Sequence, residues 1–298
     1  MIPDGVLEVL ACPACGECPM RGAVDEERDG VIVAGTLTCP ACKRQYTITE
    51  DIPSLMPPTL ASSLRVADEH WSEWRAVMGE FLRWRDQVWS DAEAAAERRT
   101  FARAMHKRFL DFCALPEDEV LCLEIGSGSG HLADLLPESV TYVGIDPLPA
   151  GRAPGGEDLP QHMPRPERDV CLIQGVGEHL PFADEAFGVG LIAGSLDHCL
   201  EPDAVLEQSR RVLAPGARFG LLQGIREPEV EGGLGGLMRS IAAALTGASA
   251  DQARKTHLHS FSLDAIRGLV AQHFDVEDSV EDNGRVFIRA SAGSGAGR

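Results

Sequence analysis

The sequence predicts an α/β fold preceded by a small cysteine-rich unit, and three stretches carry that prediction. Val120-Leu-Cys-Leu-Glu-Ile-Gly-Ser-Gly-Ser-Gly130 runs a mostly apolar stretch into glycines at every second position. This is the pattern of a buried parallel strand that ends in a tight turn and opens a helix. Val140-Thr-Tyr-Val-Gly-Ile-Asp146 reads as the next strand, closed by an acid. Cys12-Pro-Ala-Cys15 and Cys39-Pro-Ala-Cys42 place two paired-cysteine turns near the N-terminus.

Length and composition bound the answer. A chain of 298 residues with 44% hydrophobic content suits one large α/β domain and something smaller. No stretch of about 18 apolar residues exists, so no membrane span is expected. The start, Met-Ile-Pro-Asp-Gly, lacks the charged-then-apolar pattern of a signal peptide, and a cytoplasmic protein is expected. The net charge is −19. Residues 116–298 carry 14 basic and 28 acidic side chains, and the one basic cluster is Arg98, Arg99, Arg103, Lys107 and Arg108. A protein that neutralises many phosphates needs a basic face, so this balance argues against a large RNA substrate.

Residues 1–58 read as a zinc-ribbon domain. Five of the nine cysteines fall within residues 12–42, and in a cytosolic chain such crowding favours metal over disulfides. Cys12, Cys15, Cys39 and Cys42 supply four thiolates, enough for a closed tetrahedral Zn2+ site that holds structure and does no chemistry. Without metal, so short a segment has too little core to fold alone. Gly30–Thr38 is strand material between the two turns, and Cys18 is a bystander thiol. The run from Cys39 through Tyr46-Thr-Ile48, Asp51-Ile-Pro53 and Leu55-Met-Pro57 resembles the zinc-ribbon proteins that act as activating partners of RNA and protein methyltransferases. Thr47 and Asp51 depart from that family's pattern.

Residues 59–115 read as a linker and a helical lid. The tryptophans Trp71, Trp74, Trp84 and Trp89 lie here, and Phe101, Met105, Phe109 and Phe112 recur at helical spacing. An amphipathic pair packed on the main domain explains this pattern, and a lid over a pocket is compatible with it.

Residues 116–290 form the main domain. Gly126, Gly128 and Gly130 let a ligand lie almost on the backbone, and the N–H groups of the helix expected from His131 point at the same place. An acid at the tip of the second strand, Asp146, can take both hydroxyls of a ribose. These two features alone suit a dinucleotide as well as other nucleosides. Further on come Leu172-Ile-Gln-Gly-Val-Gly-Glu-His-Leu-Pro-Phe182, Leu191-Ile-Ala-Gly-Ser-Leu-Asp-His198 and Val205–Gly216. In order and spacing with the first two strands, these stretches resemble the class I S-adenosylmethionine-dependent methyltransferases. The resemblance implies a Rossmann-like seven-stranded methyltransferase sheet with helices on both faces. It also implies roles by position. Glu124, Gly126, Ser127, Gly128 and Gly130 would cradle the methionine part and ribose of S-adenosylmethionine. Asp146 would hold the ribose hydroxyls with Pro147 beside the adenine, Gly177 and Glu178 would border the adenine, and Ser195 would flank the sulfonium. Val176 stands where the family has an aspartate.

Beyond Leu222, Ser262–Phe274 reads as a helix, and Val276–Val280 pairs with Arg285–Ala290 across Glu281-Asp-Asn-Gly284. Residues 225–260 form an insertion at the carboxyl edge of the sheet, a second part of the substrate cap. Residues 291–298 are expected to be a flexible tail. Methyl transfer to oxygen or nitrogen calls for a base, and the candidates are Asp197, His198, His257 and His259. The function expected is methyl transfer to an O or N atom of a small-molecule, biosynthetic acceptor. A ribosomal- or transfer-RNA base methyltransferase is the alternative, with the Arg98–Arg108 cluster in its favour. A non-catalytic zinc-ribbon scaffold is a third reading, against which the intact glycine turn and Asp146 stand.

Overall fold

The N-terminal segment builds a sheet around its cysteine turns. A short helix α1 (Asp4–Leu7) precedes strands β1 (Arg21–Arg28), β2 (Val31–Thr38), β3 (Gln45–Thr49) and β4 (Ile52–Pro53). These pair antiparallel in the order β1-β2-β3-β4. In β3, Tyr46 and Ile48 point inward while their neighbours are exposed, the period-2 alternation of a sheet with one wet face. The computed structural model describes residues 2–28, 31–58, 91–149, 166–225 and 258–293.

The main sheet has seven strands in the order β10-β11-β9-β8-β5-β6-β7. Its strands are β5 (Val120–Ile125), β6 (Val140–Asp146), β7 (Cys171–Gln174), β8 (Phe187–Ala193), β9 (Leu213–Gly224), β10 (Asp275–Asp282) and β11 (Arg285–Ser291). Strands β7, β6, β5, β8 and β9 are parallel neighbours, and β11 and β10 add antiparallel at the far edge. The β10–β11 turn carries Asn283 and Gly284 at φ 50° and 73°, the left-handed pair that a two-residue hairpin matching strand twist requires.

Helices cover both faces because the parallel strands are apolar on both faces. On one face, helices α3 (Pro202–Val212) and α4 (Leu263–Ala271) bury Val205, Leu206, Ile266 and Val270 with Leu123, Ile125, Ile192 and Leu221. On the other, the helix α2 (Ala92–Cys113) and a 3-10 helix (His131–Leu135) bury Phe109, Leu110 and Leu132 with Cys122, Tyr142 and Leu191. Cys122 and Cys171 are buried in the core.

The ribbon is no separate globule. Ile2, Val6, Leu10, Leu37, Tyr46 and Leu55 join the same core as Ile125, Ile145 and Phe182. Residues 9–11 pair with 181–183: Ala11 N–H donates to Pro181 O at 2.9 Å and Ala183 N–H to Val9 O at 2.8 Å. At the β7 edge, Leu55 N–H donates to Gln174 O at 2.8 Å, so the chain after β4 extends the main sheet by a parallel bridge.

Two expectations are corrected. The helix expected from His131 to the stop at Pro137 is a 3-10 helix of five residues, His131–Leu135, and not an α-helix. The tail does not begin at 291: Ser291 ends β11, and Ala292 is buried with its N–H donating to Ala217 O at 2.9 Å. The β1 hairpin arm was not foreseen, because Arg21–Arg28 is charged on an outer edge and shows no apolar alternation. The four tryptophans and most of the cap insertion (226–257) lie outside the described residues.

Candidate functional site: a strand-tip cradle beside a four-cysteine cluster

The strand order reverses at β5, whose neighbours β6 and β8 run to opposite sides of the sheet. A crevice opens beyond the carboxyl ends of strands at such a point. The Gly126–Gly130 turn lies there, and the glycines have different jobs. A Cβ on Gly126 would come 2.2 Å from Ser195 Cβ and Oγ, so the close approach of the β8 tip requires glycine. Ser195 Oγ fixes that approach by donating to Ile125 O at 2.8 Å. Gly128, at φ 55°, would aim a Cβ into open space, so its bare backbone faces the crevice. Gly130 packs on Tyr142 and Leu172.

Asp146 closes β6 opposite this turn. Its two carboxylate oxygens accept the Gly128 N–H at 2.9 Å and the Leu148 N–H at 2.7 Å. Pro147 is held beside it, its carbonyl accepting from Gln174 Nε2 at 3.3 Å. Glu124 and Ser127 lie beneath the turn, both buried. Tyr142 donates its hydroxyl to Glu124 Oε2. Burial pushes the Glu124 carboxyl up to about 8, with Asp146 adding in the same direction and the Tyr142 hydrogen bond opposing.

Gly177 and Glu178 sit in a tight turn after β7. A Cβ on Gly177 would meet Ile125 at 2.8 Å, so the turn is pressed onto the base of the crevice. Glu178 is buried, and its carboxylate accepts the Leu200 N–H at 2.8 Å ahead of α3. Val176 is buried in the same turn and offers no polar side chain.

Of the four base candidates, the structure gathers three. Asp197 and His198 lie in a 3-10 turn (Leu196–His198) after β8, with Asp197 Oδ1 3.9 Å from His198 Nε2. Asp197 O accepts the N–H groups of Leu258 and His259 at 3.0 and 3.1 Å. His259 Nε2 contacts Cys199 O at 3.0 Å and Leu200 O at 3.2 Å. Those oxygens only accept, so Nε2 carries the proton and this ring straps the insertion's end to the site rim. His257 lies outside the described residues.

The four paired cysteines converge as their spacing predicts. Their Sγ atoms all lie within 4.8 Å of one another, with Cys12–Cys42 at 3.7 Å and Cys15–Cys39 at 3.6 Å. A tetrahedron with metal–sulfur bonds of about 2.3 Å has edges near these lengths, so the donor set fits a tetrahedral metal.

Sequence reasoning passed over several residues here. Gln174 is the polar end of the apolar run Cys171–Ile173, whereas Tyr142 lies inside β6 and His179 inside a turn, where neither carries a pattern that marks it. The Arg98–Arg108 cluster is partly neutralised on the surface of α2. Lys107 pairs with Asp111 at 2.7 Å and Arg108 with Asp282 at 2.8 Å.

Residues 123–221 match the methyltransferase domain family. The chain carries a methyltransferase domain. Residues 5–51 match the Trm112p-like protein family, so a Trm112-like ribbon precedes it in the same chain. An uncharacterized protein of Mycobacterium tuberculosis is 37% identical over 94 residues, 32% of this chain and 28% of that one. An uncharacterized methyltransferase of the same organism is 31% identical over 114 residues, 38% of this chain and 43% of that one. The chain thus spans less than half the length of these relatives. Among solved structures, a SAM-dependent methyltransferase from Thermotoga maritima shares the fold with a TM-score of 0.50 at 18% identity, covering 74% of this chain and 99% of that one. No helix among the described residues is long and apolar enough to cross a membrane.

Proposed function

We propose that the protein transfers a methyl group from S-adenosylmethionine to an oxygen or nitrogen of a small-molecule acceptor, with Zn2+ held by Cys12, Cys15, Cys39 and Cys42 as a structural ion. The observation that carries this reading is the pairing of an open Gly128 backbone with Asp146 at the strand-order reversal. Bound S-adenosylmethionine supplies a sulfonium methyl that is already electrophilic. The chain's residues then position the acceptor and exclude water. In this assignment Glu124, Gly126, Ser127, Gly128 and Gly130 shape the cradle from below. Asp146 takes the ribose hydroxyls, Pro147, Gly177 and Glu178 border the base, and Ser195 stands beside the sulfur. His198, with the Asp197 carboxylate at 3.9 Å, is the base that takes the acceptor's proton, and His259 holds the rim.

The acidity of the chain favours a small acceptor over RNA. The net charge is −19, and Lys107 and Arg108 of the basic cluster are already paired with carboxylates. Calorimetric titration with S-adenosylhomocysteine tests the cofactor reading. Asp146→Ala should weaken binding about tenfold or more, the loss of charge-assisted hydrogen bonds to two hydroxyls. Equal affinity in wild type and variant would sink the assignment. Tight RNA binding with a steep salt slope would transfer the acceptor to the nucleic-acid class.

A further inference from the structure

The turn that would border the adenine is tied on both sides. On the sheet side it has no slack: a Cβ on Gly177 would come 2.8 Å from Ile125, and Glu178 holds the Leu200 N–H. On the ribbon side, one side chain reaches out of the turn to the cysteine cluster. His179 Nε2 lies 2.8 Å from Pro13 O, across 166 residues of sequence. The carbonyl can only accept, so His179 donates Nε2–H. The turn itself is closed by His179 N–H donating to Val176 O at 3.3 Å, so whatever places His179 also places Gly177 and Glu178.

Pro13 stands between two of the four cysteines. Metal on Cys12 and Cys15 pins both ends of Cys12-Pro-Ala-Cys15 and with them the Pro13 carbonyl. Removing metal frees this carbonyl, while the pairing of 9–11 with 181–183 starts before Cys12 and can survive.

We propose that His179 is a positioning residue that couples metal occupancy of the four-cysteine cluster to cofactor occupancy of the cradle. Metal and S-adenosyl ligand then each tighten the binding of the other through the Pro13–His179 contact. Such coupling is reciprocal by thermodynamic necessity. The inference rests on the methyltransferase reading above, in which Gly177 and Glu178 border the adenine.

The test uses the full zinc-loaded chain and two readouts besides activity. One is calorimetric affinity for S-adenosylhomocysteine. The other is the rate of zinc transfer to a chromogenic chelator with and without that ligand. In wild type, saturating S-adenosylhomocysteine should slow zinc release about fivefold or more. In His179→Ala, affinity should fall about threefold to tenfold, the range of one lost hydrogen bond, and the ligand should no longer slow zinc release. His179→Gln, whose amide N–H can donate to the same carbonyl, should restore part of both effects. Unchanged affinity in His179→Ala overturns the coupling, as does a ligand effect on zinc release that persists in it. Should His179→Ala fail to fold, the wild-type release rates and the glutamine variant still decide. No ligand binding by zinc-loaded wild type would sink the underlying reading and the coupling with it. Intact binding with unaltered zinc release overturns the coupling alone.

Discussion

Glu124 shows how a single residue sets a pH dependence. It is 1% exposed, beneath the glycine turn, with the Tyr142 hydroxyl as its partner. Burial raises its carboxyl from the usual 4.5 to about 8. A raised acid keeps its proton in the folded chain when the unfolded chain has released it. Stability therefore falls as pH rises from about 4.5 to about 8. By neutral pH the cost is about 3 kcal/mol, as an order of magnitude. Glu124→Gln is neutral throughout and can still accept from Tyr142. Calorimetric melting between pH 5 and 8 should show a flatter profile for this variant and a higher Tm at the alkaline end. A profile parallel to wild type would show that Glu124 is ionised in the fold.

At the scale of elements, α2 is tied to the glycine turn by a buried imidazole, His106, and a half-buried one, His131. Asp91 starts the helix, its carboxylate accepting the Ala94 N–H at 2.9 Å. His106 Nδ1 then lies 2.9 Å from Nε2 of His131, the residue that follows Gly130. One ring donates and the other accepts only if both are not protonated at once. Burial lowers His106 from 6.5 to about 3, with His131 and Arg285 adding positive charge, and lowers His131 to about 4. A depressed base stabilises the fold fully above its ordinary pKa and loses that contribution as pH falls below it. The His106 contribution should thus decline from pH 6.5 downward, by about 2 kcal/mol at pH 5. His106→Gln cannot take up a proton, so its Tm should fall less steeply over this window. Equal acid sensitivity would place the proton uptake elsewhere.

At the scale of the whole molecule, the ribbon and the main sheet share one core. Leu10, Leu37 and Leu55 are fully buried in the cluster that holds Ile145, Ile173 and Phe182. Loss of metal should therefore destabilise the entire chain, since an isolated ribbon transition would tear this shared core. Cys39→Ser is expected to lose its zinc and to melt in one cooperative transition several degrees below wild type. Metal analysis and scanning calorimetry check both parts. Two separated transitions would mean that the core is divided. The ribbon's place at the β7 edge also covers what would be an open sheet border, with Ser54 Oγ donating to Gln174 Oε1 at 2.7 Å. Gln174 in turn holds Pro147 beside Asp146, so the ribbon reaches the cradle at a second point.

Local pattern was enough for the features that depend on neighbours in sequence. The strands at Val120–Ile125 and Val140–Asp146 follow from apolar runs, the 283–284 turn from Asn-Gly, and the metal cluster from paired spacing. The cradle was legible for the same reason, because a strand, a bare turn and an acid at the next strand tip lie within 27 residues. What tertiary structure alone decided joins residues far apart in the chain. His179 meets Pro13, Gln174 meets Ser54, and His131 meets His106. Lone polar side chains of this kind carry no periodicity, and their partners are chosen by packing. The division of labour among the glycines was likewise settled by the fold, since Gly126 is required by Ser195, just past the end of β8 and 69 residues further along.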